Sequence, residues 1–166
     1  PAGLTAAYYL ARWGHAVTVF EALPHPGGML RLGIPEYRLP RRVLDAEIAT
    51  IREAGITIAT STRIEKLDAL FQQGYGAVLL AIGAHRSLGM GVEGEEGPGV
   101  LDCLALLRRV SLGEKVEVGQ RVAVVGGGNS AVDAARVALR LGAREVTLIY
   151  RRSRTEMPAS PPEVEE

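Results

Sequence analysis

Apolar positions recur along this chain in two periods, and their alternation sets out an α/β order. Leu4, Ala7, Tyr8 and Ala11 follow helical spacing, so Leu4 to Arg12 is predicted as a helix, closed by Trp13-Gly14-His15. Ala16 to Phe20 is a short, β-rich apolar run ending at Glu21 and reads as a buried parallel strand. Residues 23–40 carry Pro24, Pro26, Gly27, Gly28, Gly33, Pro35 and Pro40, the punctuation of one long loop, and ordered loops of that length are usually functional. A helix follows from Arg41 to Ala54 with Gly55 as its stop, then a strand at Ile56 to Ala59 and a weaker helix at Leu67 to Gln73. Ala77 to Ile82 reads as a second buried strand, followed by Gly83. Ser87 to Gly99 is glycine-rich and acidic, the natural place for a domain boundary. Beyond it the pattern gives a helix at Leu101 to Val110, a turn at Gly113 to Gly119, a strand at Val122 to Val125, a tight turn at Gly126 to Gly128, a helix at Ser130 to Leu141 and a closing strand at Val146 to Tyr150. The tail from Arg151 is polar and proline-bearing.

The strongest chemical signal lies where that pattern is clearest. Val122 to Val125 leads into Gly126-Gly127-Gly128-Asn129-Ser130-Ala131 and then a helix, which is strand, GxGxxA, helix. Gly126 permits the tight turn, Gly128 allows backbone to approach a pyrophosphate, and Ala131 stands where the helix packs on the strand. The helix N-terminus adds unpaired N–H groups and a partial positive charge for the phosphates. Flanking elements of the correct type are what raise this short pattern above chance; the bland alternative is a glycine-rich turn in an ordinary α/β domain.

An acidic residue commonly closes the second strand of such a unit. Here Tyr150-Arg151-Arg152 stands in its place, with Arg154 nearby. A carboxylate would hold a free ribose 2′-hydroxyl, whereas arginines accept a 2′-phosphate, so the pattern favours NADPH over NADH. A solvated basic strand end is the competing reading.

The chain also repeats itself. Pro1-Ala2-Gly3-Leu4 aligns with Asn129-Ser130-Ala131-Val132, and Gly3 to Gly14 spans 11 positions, as does Ala131 to Gly142. The first copy ends in Glu21, 18 positions after Gly3, where a carboxylate suits a ribose hydroxyl. Its leading strand and first two glycines are expected before residue 1, so the chain reads as cut within a nucleotide-binding turn.

Composition narrows the classes. The 166 residues carry 19 Lys+Arg against 19 Asp+Glu, so no global charge draws the chain to nucleic acid or an anionic membrane. A 47% hydrophobic share supports a packed core, and no apolar stretch nears the roughly 20 residues of a membrane span. One cysteine, Cys103, excludes an internal disulfide, a CxxC redox pair and a thiolate-held iron–sulfur cluster within these residues, and its Leu-rich helix makes it a core residue. His15, His25 and His85 have no metal-ligand spacing, and no metal site is expected. Asp133 is expected to cap or pair locally, and Trp13 to pack.

Taken in order, Pro1-Ala2-Gly3-Leu4, Val19-Phe20-Glu21, Gly27-Gly28-Met29-Leu30, Gly33-Ile34-Pro35-Glu36-Tyr37-Arg38-Leu39-Pro40, Gly126 to Asp133, and Tyr150-Arg151-Arg152 through Met157-Pro158-Ala159 resemble the small (beta) subunit of NADPH-dependent glutamate synthase. They resemble equally the matching module of dihydropyrimidine dehydrogenase and related NADPH:acceptor reductases. The resemblance implies an α/β fold of two Rossmann-like, doubly wound nucleotide-binding units with parallel sheets, truncated at both ends. It implies an FAD-binding unit over residues 1–84, a connection over 85–118 and an NADPH-binding unit over 119–166. It places Pro1, Ala2 and Gly3 at the FAD pyrophosphate, Glu21 at its adenosine ribose, and Gly28, Met29, Arg38 and, more loosely, Ile64 around the rest of the flavin, with Gly83 at the crossover between the nucleotide domains. Gly126, Gly127, Gly128, Asn129, Ser130, Arg151 and Arg152 would hold NADPH. By the same resemblance a hydride passes from NADPH to FAD and electrons go on singly to a partner subunit or domain, in the cytoplasm, with iron–sulfur clusters only in partners or segments outside these residues. No protein acid, base or nucleophile is then required, so no catalytic residue is expected. A thioredoxin-reductase-like flavoprotein is disfavoured for want of a cysteine pair; a non-catalytic NADPH-binding module and a scaffolding fragment stay open.

Overall fold

The structure, a computed structural model, describes residues 1–165. The elements run α1 (Ala2–Arg12), β1 (Thr18–Phe20), α2 (Met29–Leu32), α3 (Arg41–Glu53), β2 (Thr57–Ala59), α4 (Asp68–Gln72), α5 (Cys103–Ser111), β3 (Arg121–Val125), α6 (Asn129–Arg140), β4 (Glu145–Ile149) and α7 (Pro161–Glu165). They fall into two compact units, one made of Pro1–Arg31 with Leu39–Ala84, the other of Leu32–Arg38 with His85–Glu166.

In the first unit β1 and β2 pair in parallel, Val19 opposite Ile58. A parallel pair needs a crossover, and α3 supplies it. Pro40, with its fixed φ, opens α3, and Gly55 follows its end at φ +87°, a conformation that favours glycine. Leu4 of α1 and Leu44 and Ile48 of α3 form the core, with Val19, Leu30, Ile51 and Ile58 packed against them. These are the residues that the helical period of α1 and α3 turns toward the strands.

In the second unit β3 and β4 pair in parallel over five residues, from Arg121 opposite Glu145 to Val125 opposite Ile149. Helix α6 is the crossover, and Gly142 at φ +102° ends it. Alternate residues of both strands are shielded, and Leu106, Val116 and Ala134 make the core beneath, joined by Val110, Val118, Val124 and Leu141. Helix α5, within the stretch read as a connection, is thus part of this core. Its N-cap is Asp102, whose carboxylate accepts from the Ala105 amide at 2.8 Å.

Two local expectations are corrected, and the tail gains elements that the sequence leaves open. Residues 77–82 form no strand: Leu79, Leu80 and Ile82 are 63, 62 and 80% exposed, and no described strand pairs with them. Strand propensity alone makes no ladder; a partner must supply the hydrogen bonds. The loop over 23–40 contains α2, one turn that follows the left-handed Gly28. The tail from Arg151 folds into a 3-10 turn at Arg154–Glu156 and α7. A capping box starts that turn: Ser153 and Glu156 satisfy each other's backbone and side chains.

Candidate functional site: the glycine turn of the second unit and its surroundings

The turn between β3 and α6 leaves a helix start without protein acceptors among the described residues. Gly126, at φ +145°, donates its amide to Ile149 O at 2.9 Å, which anchors the turn to β4, and a side chain there would meet the Ala131 methyl at 3.1 Å. Helix α6 then closes on Gly128, whose carbonyl accepts from Ala131 N and Val132 N. The amides of Gly127, Gly128, Asn129 and Ser130 donate to no protein group among the described residues. Four such donors, at the positive end of a 12-residue helix, are the usual cradle of a phosphate.

The three glycines have different reasons. At Gly127 an added Cβ would lie 2.5 Å from Cδ2 of Tyr150, inside the ring's own volume. At Gly128 it would meet nothing nearer than Pro158 Cγ at 4.0 Å. No protein neighbour forbids a side chain at 128, so its bareness is open space at the mouth of the turn. Sequence reasoning credited Gly127 to the nucleotide alone; its neighbour Tyr150 was not visible in the spacing.

Segments after β4 fold back onto this turn. The Ala159 amide donates to Gly127 O at 3.0 Å and the Ser160 amide to Asn129 Oδ1 at 3.0 Å. Tyr150 OH donates to Glu156 O at 3.2 Å. Asn129 therefore uses its side chain to hold the tail. Arg151 and Arg152 lie exposed in the bend after β4, and neither has a hydrogen-bond or ion-pair partner among the described residues. Arg154 donates instead to Val164 O.

Asp133, on the first turns of α6, is buried, and it pairs not locally, as expected, but with a segment some 95 positions away in the chain. Its Oδ1 accepts from Tyr37 OH at 2.8 Å and from Arg38 Nε. The other edge of the Arg38 guanidinium is bidentate on Glu163 of α7, which also accepts from Arg136 at 3.0 Å. Burial and the Asp133 carboxylate push the Tyr37 phenol up to about 12, so it stays protonated and donating. The hydrogen bonds from Arg38 hold Glu163 below the usual carboxylate range. Arg38, expected near the flavin, belongs to the second unit, and three of its five N–H donors are taken by carboxylates.

The first unit gathers most of the remaining predicted residues. Pro1 caps α1, and the amides of Ala2, Gly3 and Leu4 have no protein acceptor among the described residues. Gly28, at φ +54°, lies against this helix start; a Cβ there would come within 3.3 Å of Pro1 Cδ. Met29 begins α2 directly after it. Gly3 faces Ala81, whose methyl would be 3.2 Å from an added Cβ. Glu21 closes β1; its Oε1 accepts from the Leu23 amide at 2.9 Å. Ile64 lies at the surface beyond β2, and Gly83, at φ +69°, stands one residue before the unit's last, Ala84.

Cys103 is inert in this setting. Burial, with Asp102 and Asp133 nearby, raises its thiol to about 11, and its Sγ donates to Ser130 O. No cluster of three or more His, Cys, Asp or Glu suited to a metal occurs among the described residues. No helix among them is long and apolar enough to cross a membrane.

Parallel strands joined by helices, with a bare helix start after β3, define a nucleotide-binding α/β module of the Rossmann type. The family model for pyridine nucleotide-disulphide oxidoreductases matches residues 1–166, and the chain belongs to that family. Among curated relatives it is 54% identical, over 99% of its length, to the NADP(+)-dependent formate dehydrogenase subunit beta of Moorella thermoacetica. It is 50% identical over 99% to the NADPH-Fe(3+) oxidoreductase subunit beta of Geobacter sulfurreducens, and 38% over 99% to the glutamate synthase [NADPH] small chain of Halomonas elongata. The chain spans 24, 26 and 37% of those three proteins. Its fold matches FprA from Mycobacterium tuberculosis with a TM-score of 0.80 at 21% identity, over 99% of this chain and 44% of that one.

Proposed function

We propose that the chain is the FAD- and NADPH-binding module of an oxidoreductase, passing electrons from NADPH by way of flavin to a partner subunit or domain, in the manner of a glutamate synthase small chain. The observation that carries this reading is the turn at Gly126 to Ser130, with four unengaged amides and no side chain at Gly128. Those amides would hold the pyrophosphate, and Arg151 and Arg152, exposed and unpartnered, would take the 2′-phosphate through charge-assisted bonds. The relatives' names, each tied to NADP or NADPH, agree with that choice.

For the flavin, the residues that fit are the helix start at Pro1, Ala2 and Gly3, the turn at Gly28 and Met29 beside it, and the Glu21 carboxylate, which keeps one oxygen for a ribose hydroxyl. When bound, the flavin accepts a hydride from the nicotinamide and can release electrons one at a time. The chain's own work is to bind and orient, since no acid or base is needed. The final acceptor differs among the relatives by name, so we assign it to the partner.

Anaerobic titration of the FAD-loaded protein with NADPH tests the reading. Flavin absorbance should bleach at stoichiometric NADPH and return on adding a one-electron acceptor. NADPH bound without bleaching would leave a nucleotide-binding module only, and no binding at all would overturn the reading.

A further inference from the structure

The cluster around Asp133 has no assigned part in holding NADPH. We infer that Arg38 is a positioning residue of the NADPH turn: it neutralises Asp133 on α6 and, through Glu163, clamps α7 so that the preceding segment stays docked on the turn. The inference rests on the NADPH reading above.

Three observations support it. Asp133 is 6% exposed and lies five residues past Gly128, on the helix whose start receives the phosphates. Left uncompensated, a buried carboxylate there would oppose the bound anion, and the low-dielectric surroundings would screen it little. Arg38 and Tyr37, from the short segment Leu32–Arg38, reach exactly that carboxylate's Oδ1. Second, the same guanidinium grips Glu163 with its bidentate edge. Glu163 sits three residues after Ser160, whose amide holds Asn129, and four after Ala159, whose amide holds Gly127. One cation thus ties the helix that begins at the turn to the segment that lies over it. Third, the charges balance within the cluster: Arg38 and Arg136 meet Asp133 and Glu163, and each side chain is at least three-quarters buried. Removing one member strands the others.

Lysine could keep the charge but not the geometry, because a single ammonium cannot present the planar fork that spans two carboxylates. The expected series is therefore graded. Arg38→Met should raise the Kd for NADPH and for NADH alike, by about tenfold, since the effect falls on the shared pyrophosphate. Arg38→Lys should show a smaller loss. Adding Asp133→Asn to Arg38→Met should restore part of the affinity under conditions where both variants are fully folded, with the urea midpoint of both measured so that recovered binding is told apart from recovered stability. FAD content should stay at the wild-type level throughout. If Arg38→Met keeps wild-type NADPH affinity, or loses FAD while NADPH affinity holds, the inference is wrong. Glu163→Gln, milder in shape and charge, decides the matter should Arg38→Met fail to fold: hydrogen exchange should quicken at the Ala159 and Ser160 amides, and unchanged exchange there overturns the clamp. That readout needs no nucleotide, so it separates failure of the clamp from failure of the NADPH reading.

Discussion

Gly127 and Gly128 stand side by side in one turn but owe their lack of a side chain to different neighbours. Gly127 is covered by Tyr150, so Gly127→Ala forces ring or turn to move and should cost about 1–3 kcal/mol of stability, read as a lowered urea midpoint. Gly128 has space for a Cβ in the protein and ordinary extended angles, φ −90° and ψ 172°. Gly128→Val should therefore leave the midpoint nearly unchanged while abolishing measurable NADPH binding; a parallel fall in stability would mean the residue is structural after all. Arg151 and Arg152 make the second residue-scale prediction. A charge-assisted bond is worth about 1.5–3 kcal/mol, so NADPH should bind some tenfold to hundredfold more tightly than NADH. Replacing both arginines with alanine should erase most of that preference by weakening NADPH alone, and salt should narrow it in the wild type. Paired dissociation constants at low and high salt check both statements; an undiminished preference in the double variant removes the arginines from the site.

At the scale of elements, Asp102 is the single side-chain N-cap on α5, with its carboxylate on the Ala105 amide. Asp102→Ala should lower stability by about 1 kcal/mol, and α5 should fray first in hydrogen exchange. Elements like α5 were legible from the helical period of their apolar positions, while the Asp102 cap, which sets where the helix starts, was not read. The strand–turn–helix around Gly126 was legible for the same reason: a β-rich run, three glycines and a 3.6-residue period leave one arrangement. Residues 77–82 were misread because a strand is a relation between two segments, and an apolar run reports only half of it. The Asp133 cluster was illegible, since Arg38 and Glu163 lie 95 and 30 positions from Asp133 in the chain, and no spacing rule joins them. Tyr150 over Gly127 escaped notice for the same cause.

For the molecule as a whole, acid should act through a few engaged carboxylates. Glu163 is held below 4.5 chiefly by its bonds from Arg38, and Glu156 by those from Ser153. A carboxyl whose folded pKa is depressed contributes stability above its ordinary value and loses that contribution as pH falls through the folded one. The melting temperature should thus hold from neutrality down to about pH 5 and fall below it. Glu163→Gln should melt lower at pH 7 and show a shallower acid decline; an identical slope would exclude Glu163 from the acid response.

The bare run at 77–82 has a consequence for how the protein behaves in concentrated solution. Ala77-Val78-Leu79-Leu80-Ala81-Ile82 has no charge and no proline, and its backbone is not engaged in a sheet. Such a segment is a template for its own copies: strands from neighbouring molecules can stack in register and bury these side chains in a dry cross-β zipper. Concentrated protein should accordingly form thioflavin-positive fibrils after a lag, and Leu80→Lys, which places a charge in every layer of the stack, should lengthen that lag severalfold without disturbing the turn at Gly126.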